Sequence, residues 1–166
     1  MSTETFDDNE KIKKRISASE ALSKIYRYCA YQERSHREVK NKLFSYGLYS
    51  NDVEEIVSRL INERFLNEER FAKAFAGGKF RMQKWGRIKI KRELQQAGLT
   101  PKCIAIGLAE IDKSDYSKTL LLLIKKKSAQ LSESDPFKKK NKIAQFIIGK
   151  GYEPELVWEV LSDFMG

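Results

Sequence analysis

RLINERFLNEERFAKAFAGGKFRMQKWGRIKIKREL, the sequence from Arg59 to Leu94, joins the end of one helical unit to most of the next. Asn67 is a predicted helix cap, because its side-chain oxygen can accept hydrogen bonds from the free backbone N–H groups of a first turn. Glu68 and Glu69 follow at the positive end of the helix dipole. The spacing predicts a helix over residues 68–83. Four apolar residues share one face of it, namely Phe71, Ala74, Phe75 and Met82.

The second half of this stretch is strongly basic. Between Lys79 and Arg92, seven of fourteen residues are basic and none is acidic. A surface with this charge density attracts anionic partners. Weaker groups of basic residues occur at residues 34–42, 125–127 and 138–142. We therefore predict a binding surface for an anionic partner, formed by Lys79, Arg81, Lys84, Arg87, Lys89, Lys91, Arg92, Arg37 and Lys40.

Two features inside the stretch allow more than one interpretation. Gly77 and Gly78 cost a helix about 1.5–2 kcal/mol relative to alanine. They predict either a bend or an early helix end followed by a basic loop. Trp85 lies among basic residues, where an indole can stack on a nucleotide base. Tryptophan at such a place more often packs over a helix junction, and we favour that core position.

The same pattern returns before and after this stretch. When Gly47, Gly98 and Gly151 are set in register, the periods are 51 and 53 residues. Glycine adopts a positive φ without steric cost, so each glycine is predicted at a junction between two helices. Pro101 and Pro154 then fit the first turn of the helix that follows. Apolar residues recur at equal offsets from the glycines, namely Val39, Ile90 and Ile143, then Leu43, Leu94 and Ile147, then Val53, Ile104 and Val157.

These repeats predict an all-α protein of three tandem three-helix repeats, at residues 16–62, 63–112 and 113–166. A unit of this size buries too little apolar surface to be robust alone. Neighbouring units are therefore expected to share contacts in an elongated, curved array. Residues 1–15 are polar and are predicted to be a disordered tail. Capping-box patterns mark the first two helices, Ser17 with Glu20 and Ser35 with Glu38.

Charge and cysteine content narrow the class of protein. Charged residues make up 33% of the chain and its net charge is +9, although its first ten residues carry four acidic residues. The remainder is therefore more basic than the average, which favours nucleic acid or an acidic protein as partner. Two cysteines indicate no disulfide framework, and Cys29 is predicted to be a buried thiol in a reducing compartment. The longest apolar run, Leu120–Ile124, is too short for a membrane span, and the acidic N-terminus lacks a secretory signal, so we expect a cytoplasmic protein.

Residues suited to catalysis or metal binding are scarce. His36 is the single histidine, and two distant cysteines cannot form a four-cysteine zinc site. The carboxylate pairs Glu54–Glu55 and Glu68–Glu69 fit exposed faces or helix starts. Gly149-Lys150-Gly151 is a predicted helix end rather than a phosphate-binding loop. We therefore expect no enzyme activity, no cofactor, and no catalytic or metal site.

ERFLNEERFAKAF, followed by a short basic segment, WGRIKIKREL and Gly98, resembles the central signature of the RecX family, which regulates the bacterial RecA recombinase. ALSKIYRYCAYQERSHREVKNKLFSYG, residues 21–47, is similar to the family's opening repeat, and the resemblance covers about residues 18–165. It implies a regulatory protein that binds RecA and RecA–DNA filaments in DNA repair and the SOS response. Such a protein would mainly inhibit filament extension, ATP hydrolysis and recombination. We expect a monomer that contacts the RecA filament and single- or double-stranded DNA, without a membrane partner.

Two other functions fit the same residues. One is an autonomous nucleic-acid-binding protein of tandem helix-turn-helix-like units. No recognition helix is evident, however, because the third helices are acidic or apolar on their outer faces. The other is a helical scaffold for an acidic protein, with no role on DNA. Affinity for DNA in the absence of RecA, measured at several salt concentrations, separates these alternatives.

Overall fold

The computed structural model describes residues 15–166, so the predicted tail lies outside the described residues except for Arg15. Over this range the chain is all-α and contains no β-strand, which confirms the predicted fold class of three-helix repeats. A π-helical segment, Lys79–Gln83, interrupts the α-helical series. The α-helices are α1 Ala18–Tyr31, α2 His36–Ser45, α3 Ser50–Asn62, α4 Glu68–Gly78, α5 Arg87–Gln96, α6 Pro101–Leu108, α7 Lys113–Gln130, α8 Pro136–Gly149 and α9 Pro154–Met165.

Helices begin at the side chains that were expected to cap them. Asn67 accepts a 2.9 Å hydrogen bond from the backbone N–H three residues later, as predicted. Ser35 and Glu38 form the complete capping box, with bonds of 3.1 and 2.8 Å. Only half of the other box forms, since Ser17 accepts from the Glu20 N–H at 3.1 Å. The Glu20 carboxylate instead forms an exposed ion pair with the next helical turn.

Glycine ends the second helix of each repeat. Gly47, Gly98 and Gly151 have φ values of 85°, 85° and 101°, which confirms the predicted helix junctions. Each glycine N–H donates to the carbonyl three residues earlier, at 2.9, 3.0 and 2.9 Å. A side chain with a Cβ would be strained in this conformation. Pro101 and Pro154 occupy the first turns of α6 and α9, where no backbone donor is lost.

The chain divides into two compact units. One ends at Leu66 and contains α1–α3, and the other, Asn67–Gly166, contains α4–α9. In the first unit, the core is formed by side chains of all three helices, such as Ile25, Leu43 and Leu60. Cys29 is buried in this core, as predicted.

The second unit contains the second and third repeats around one shared core. Ile90 and Leu94 of α5 belong to the same buried cluster as Leu120 of α7 and Ile143 and Ile147 of α8. Sharing a core offsets the small apolar area that a single three-helix repeat can bury. The exact repeat boundaries within this unit remain a prediction.

Small residues allow two very close contacts in the second unit. A Cβ on Gly107 of α6 would lie 2.7 Å from the carbonyl oxygen of Ala72 in α4. A Cβ on Gly86, which precedes α5, would lie 2.2 Å from the carbonyl carbon of Gly151. Both distances are far below ordinary carbon contacts, so glycine is required for these helices to pack as they do.

The helical conformation continues through Gly77 and Gly78, so of the two interpretations of these glycines the early helix end followed by a loop is wrong. Gly78 has ordinary helical angles, and the chain then forms the π-helical segment before Lys84 leaves the helix with a φ of 58°. A π-turn contains an additional residue and therefore rotates the side chains that follow it. As a result Phe80 is buried, whereas Met82, predicted on the apolar face, is 83% exposed.

Candidate functional site

The predicted binding surface lies mainly on one continuous part of the second unit, residues 79–92, which we call the cationic segment. It comprises the π-helical segment, a three-residue loop and the beginning of α5. Its basic side chains differ in exposure, because some lie on the core and others face solvent. Arg81, Lys84, Lys91 and Arg92 are exposed, and Lys79, Arg87 and Lys89 are partly buried.

Trp85 lies at the centre of the contacts within the cationic segment. It is partly buried against the core and meets Phe75 edge to face, with ring centres 6.4 Å apart. The Lys79 and Lys89 ammonium groups lie over its ring, at 4.9 and 4.4 Å from the ring centre. Lysine over an indole face is a favourable cation–π arrangement. Trp85 therefore has the core position that we favoured, and it also positions two of the predicted basic residues.

Four exposed basic residues form no ion pair in the described part of the chain. Among the described residues, no carboxylate forms an ion pair with Arg81, Lys84, Lys91 or Arg92. The Lys84 ammonium donates to the Arg81 carbonyl at 2.6 Å, which stabilises the end of the π-helical segment. The Arg81 guanidinium lies against Gly77, where a Cβ would be 2.7 Å from Nη1. Gly77 thus leaves room for a basic side chain along the helix.

Arg87 differs from the other basic residues, because it is engaged within the protein. Its guanidinium lies 3.9 Å from the ring centre of Tyr116 and 3.5 Å from the Glu153 carboxylate. The Tyr116 hydroxyl accepts from the backbone N–H of Arg87 at 3.1 Å and donates to the Glu153 carboxylate at 2.7 Å. The sequence predicts Arg87 in the binding surface together with Lys84 and Lys91. Its partners instead lie in the third repeat, so it connects two repeats.

The two predicted residues of the first unit are also engaged. Lys40 forms a 3.2 Å ion pair with Glu54 of α3. Arg37 is exposed at the start of α2 and also has an interaction partner. Exposed ion pairs contribute little free energy and can be exchanged for another anion. These residues are therefore weaker candidates than the cationic segment.

The structure adds three lysines that were missing from the predicted site. Lys150 follows α8. Its pKa is lowered, mainly by burial and to a smaller extent by the positive charges of Lys89 and Lys126. The Lys127 and Lys150 ammonium groups lie 4.2 and 5.8 Å from the ring centre of Phe146. The basic surface thus continues from the second repeat onto the third. The lysine run at residues 125–127 was a visible signal, whereas Lys150 stood in what was interpreted only as a helix end.

Metal binding and membrane insertion have little support in the described part of the chain. Within residues 15–166, no group of three His, Cys, Asp or Glu side chains is placed to hold a metal ion. No helix of this range combines the length and the apolar character needed to cross a membrane. Buried polar groups near the cationic segment are phenols, and burial raises the pKa of both Tyr116 and Tyr152. Such phenols stay protonated and serve as hydrogen-bond donors.

Three family models match consecutive parts of the chain. The RecX second three-helix domain matches residues 67–108, the third matches residues 114–161 and the first matches residues 21–60. The chain belongs to the RecX family. This confirms the resemblance found in the sequence, and the match to the RecX second domain includes the whole cationic segment.

Named RecX relatives are longer than this chain. "Regulatory protein RecX" of Bacillus cereus strain B4264 is 26% identical over 152 residues, covering 89% of this chain and 56% of the relative. The protein of the same name from Clostridium botulinum strain Eklund 17B is 28% identical over 132 residues, covering 78% and 61%. The chain therefore spans little more than half the length of the RecX relatives that it matches.

Solved RecX structures share the fold. The crystal structure of RecX from Lactobacillus salivarius superposes with a TM-score of 0.78 at 22% identity, covering 88% of this chain and 95% of the other. A second crystal structure, of a regulatory protein RecX, gives a TM-score of 0.79 at 20% identity, covering 88% and 71%. At sequence identities of 20–22%, this similarity shows a shared arrangement of helices.

Proposed function

We propose that this chain is a regulatory protein of the RecA recombinase, which binds RecA and RecA–DNA filaments. It mainly inhibits filament extension, ATP hydrolysis and recombination in DNA repair and the SOS response. It acts as a cytoplasmic monomer, by binding rather than by catalysis, and needs no cofactor. The observation that carries the proposal is the cationic segment, whose exposed basic residues lack acidic partners among the described residues and stand on a RecX fold.

A filament of RecA on DNA suits this surface for an electrostatic reason. Such a filament presents phosphate groups and protein side chains together, and basic residues gain most from anions when no internal carboxylate competes. Arg81, Lys84, Lys91 and Arg92 satisfy that condition, and Lys79 and Lys89 are held in place over Trp85. We assign the main contact to these residues. Arg87, Arg37 and Lys40 form a secondary contact, because each must first exchange an existing partner.

The test is growth of single RecA filaments on single-stranded DNA, together with the rate of ATP hydrolysis. At stoichiometric amounts the purified chain should slow both. The triple variant Lys84→Ala, Lys91→Ala and Arg92→Ala should lose most of this effect, because it removes three exposed charges of the cationic segment. A matched control removes three exposed lysines elsewhere in the same unit, Lys102→Ala, Lys113→Ala and Lys118→Ala, and should keep the effect.

Unchanged filament extension and unchanged ATP hydrolysis with the original chain would reject the proposed function. If both triple variants lost activity equally, total charge rather than the cationic segment would be responsible. Circular dichroism of each variant checks that the helices are retained.

A second candidate is an autonomous nucleic-acid-binding protein, which is favoured by the same exposed and unpaired basic residues. About five phosphate contacts to a single strand would give a salt slope near −3.5, or roughly a hundredfold loss of affinity between 50 and 200 mM salt. Tight, sequence-dependent binding without RecA would support this candidate. Binding of RecA with no affinity for DNA at any salt concentration would instead favour a protein-only contact.

A further inference from the structure

Backbone hydrogen bonds join the start of α5 to the turn between α8 and α9. The Gly86 N–H donates to the Lys150 carbonyl at 2.8 Å, and the Ile88 N–H donates to the Gly151 carbonyl at 2.9 Å. Tyr152 adds a third bond, from its hydroxyl to the Lys84 carbonyl at 3.0 Å. These bonds connect the second repeat to the third and hold the two backbones in fixed positions. They determine which side chains meet at this junction.

Lys89 and Lys150 lie close together at this junction because Gly151 has no side chain that would keep Lys89 away. A Cβ on Gly151 would lie only 2.3 Å from the Cβ of Lys89, so the Lys89 side chain begins directly against the residue that follows Lys150. Lys89 also lies over Trp85, which restricts where its ammonium group can go. The two lysines are therefore neighbours by packing rather than by the chance conformation of two long side chains.

The end of α7 also lies at this junction. Phe146 of α8 has the ammonium groups of both Lys127 and Lys150 over its ring, so the last turns of α7 lie beside Lys150. Lys126 immediately precedes Lys127, and its positive charge contributes to the lowered pKa of Lys150. We call Lys89, Lys126 and Lys150 the lysine cluster.

The members of the lysine cluster form no ion pair within the described range. Among residues 15–166, no carboxylate forms an ion pair with any of its three members. The Glu153 carboxylate, close along the chain to Lys150, is engaged by Arg87 and Tyr116. Like charges at such a junction repel each other. A bound anion would reduce that repulsion.

We propose that the lysine cluster binds one phosphate group of a single-stranded DNA backbone, at a site made jointly by the second and third repeats. Lysine ammonium groups suit a phosphate, because each offers three donors and a compact charge. The neighbouring rings, Trp85 and Phe146, already carry lysine ammonium groups, which favours recognition of the backbone over stacking of bases. The site rests on the proposed function only in requiring that the chain contacts DNA.

The test measures binding of a fluorescein-labelled thymidine 20-mer by fluorescence anisotropy, from 50 to 200 mM salt and with RecA absent. The triple variant Lys89→Gln, Lys126→Gln and Lys150→Gln should reduce the salt slope by about 0.7, since one phosphate contact is lost. At 50 mM salt this corresponds to a roughly tenfold loss of affinity. Because the three lysines share one phosphate, each single variant should lose a large part of the same tenfold. Lys150→Arg keeps the charge and should keep binding.

The matched control Lys102→Gln, Lys113→Gln and Lys118→Gln should leave the salt slope unchanged. A slope reduced by about 2 in the lysine-cluster variant would mean three independent contacts and would overturn a shared site. An unchanged slope, or equal loss in the control, would overturn it as well. Poly-L-glutamate should compete far more weakly than unlabelled oligonucleotide of equal charge, and equal competition would indicate an acidic protein as the ligand instead.

The outcome separates the lysine cluster from the proposed function. If the original chain inhibits RecA filaments but the lysine-cluster variant binds DNA normally, the site is wrong and the regulatory function stands. If the variant shows the predicted loss on DNA while the original chain leaves RecA unaffected, the site stands and the regulatory function is wrong.

Discussion

Arg87 forms a 3.5 Å ion pair with Glu153, and this pair joins the first turn of α5 in the second repeat to the residue before α9 in the third. Tyr116 of α7 lies under the guanidinium and donates a hydrogen bond to the same carboxylate. One basic residue of the cationic segment therefore stabilises the protein itself. The other basic residues of the segment form no ion pair with a carboxylate among the described residues.

The first prediction is that Arg87→Ala destabilises the protein by about 1–2 kcal/mol, through loss of a partly buried ion pair and a cation–π contact. Urea unfolding followed by circular dichroism measures the free energy of unfolding. Arg92→Ala on the same helix is the control, because Arg92 is exposed and lacks an acidic partner among the described residues. Its effect should stay within about 0.5 kcal/mol. Equal effects of the two substitutions would contradict a structural role for Arg87.

Local sequence signals predicted most of the fold, because each depends on neighbours within a few residues. The cap at Asn67, the complete box at Ser35 and the positive φ at Gly47, Gly98 and Gly151 are of this kind. The π-helical segment could not be predicted, since it depends on how Phe80 and the core fit together. It therefore also changed the position of Met82.

The binding surface was predicted only in part, because charge density along a sequence does not show which charges meet in space. The runs of basic residues marked the cationic segment, in which Arg87 alone forms an ion pair with a carboxylate among the described residues. Lys150 was missed, since it approaches Lys89 only through packing between repeats. The ion pair of Arg87 was missed for the same reason, as its partner Glu153 lies far along the chain.

The second prediction concerns the close contact between α4 and α6. Gly107→Ala should destabilise the protein by about 1–3 kcal/mol, because the new methyl group meets the Ala72 carbonyl and forces the helices apart. Gly78→Ala is the matched control, since it adds the same methyl group to a helix where nothing lies within 4 Å. That substitution should stabilise the protein by about 0.5–1 kcal/mol. Thermal unfolding of both variants measures the difference, and a stable Gly107→Ala variant would show that α4 and α6 are not in such close contact.

The third prediction concerns the two free thiols. Burial raises the pKa of Cys29 from 9.0 to about 11, whereas Cys103 is only partly buried. This shift lowers the thiolate fraction of Cys29 roughly a hundredfold near pH 8. A chromogenic disulfide reagent at that pH should therefore modify Cys103 first and Cys29 only as the first unit opens. In Cys103→Ser the fast phase should disappear. A fast phase that persists there would mean that Cys29 is accessible.

The last prediction is that the second unit loses stability in alkaline solution. Burial is the main cause that raises the pKa of both Tyr116 and Tyr152, with the Glu153 carboxylate contributing to each. Because the folded pKa lies above the unfolded value of about 10, the folded state holds these protons more tightly. Their contribution to stability is complete below about pH 10 and decreases as the pH rises toward the folded pKa.

Urea unfolding at a series of pH values from 8 to 11 measures this decrease. In Tyr152→Phe the free energy of unfolding should be lower at every pH, since the hydrogen bond to the Lys84 carbonyl is lost. Its decline above pH 10 should, however, be shallower, because one titrating phenol has been removed. Tyr31→Phe is the control, as Tyr31 is 83% exposed and should leave the decline unchanged. An identical decline in all three proteins would show that the buried phenols do not set the alkaline limit.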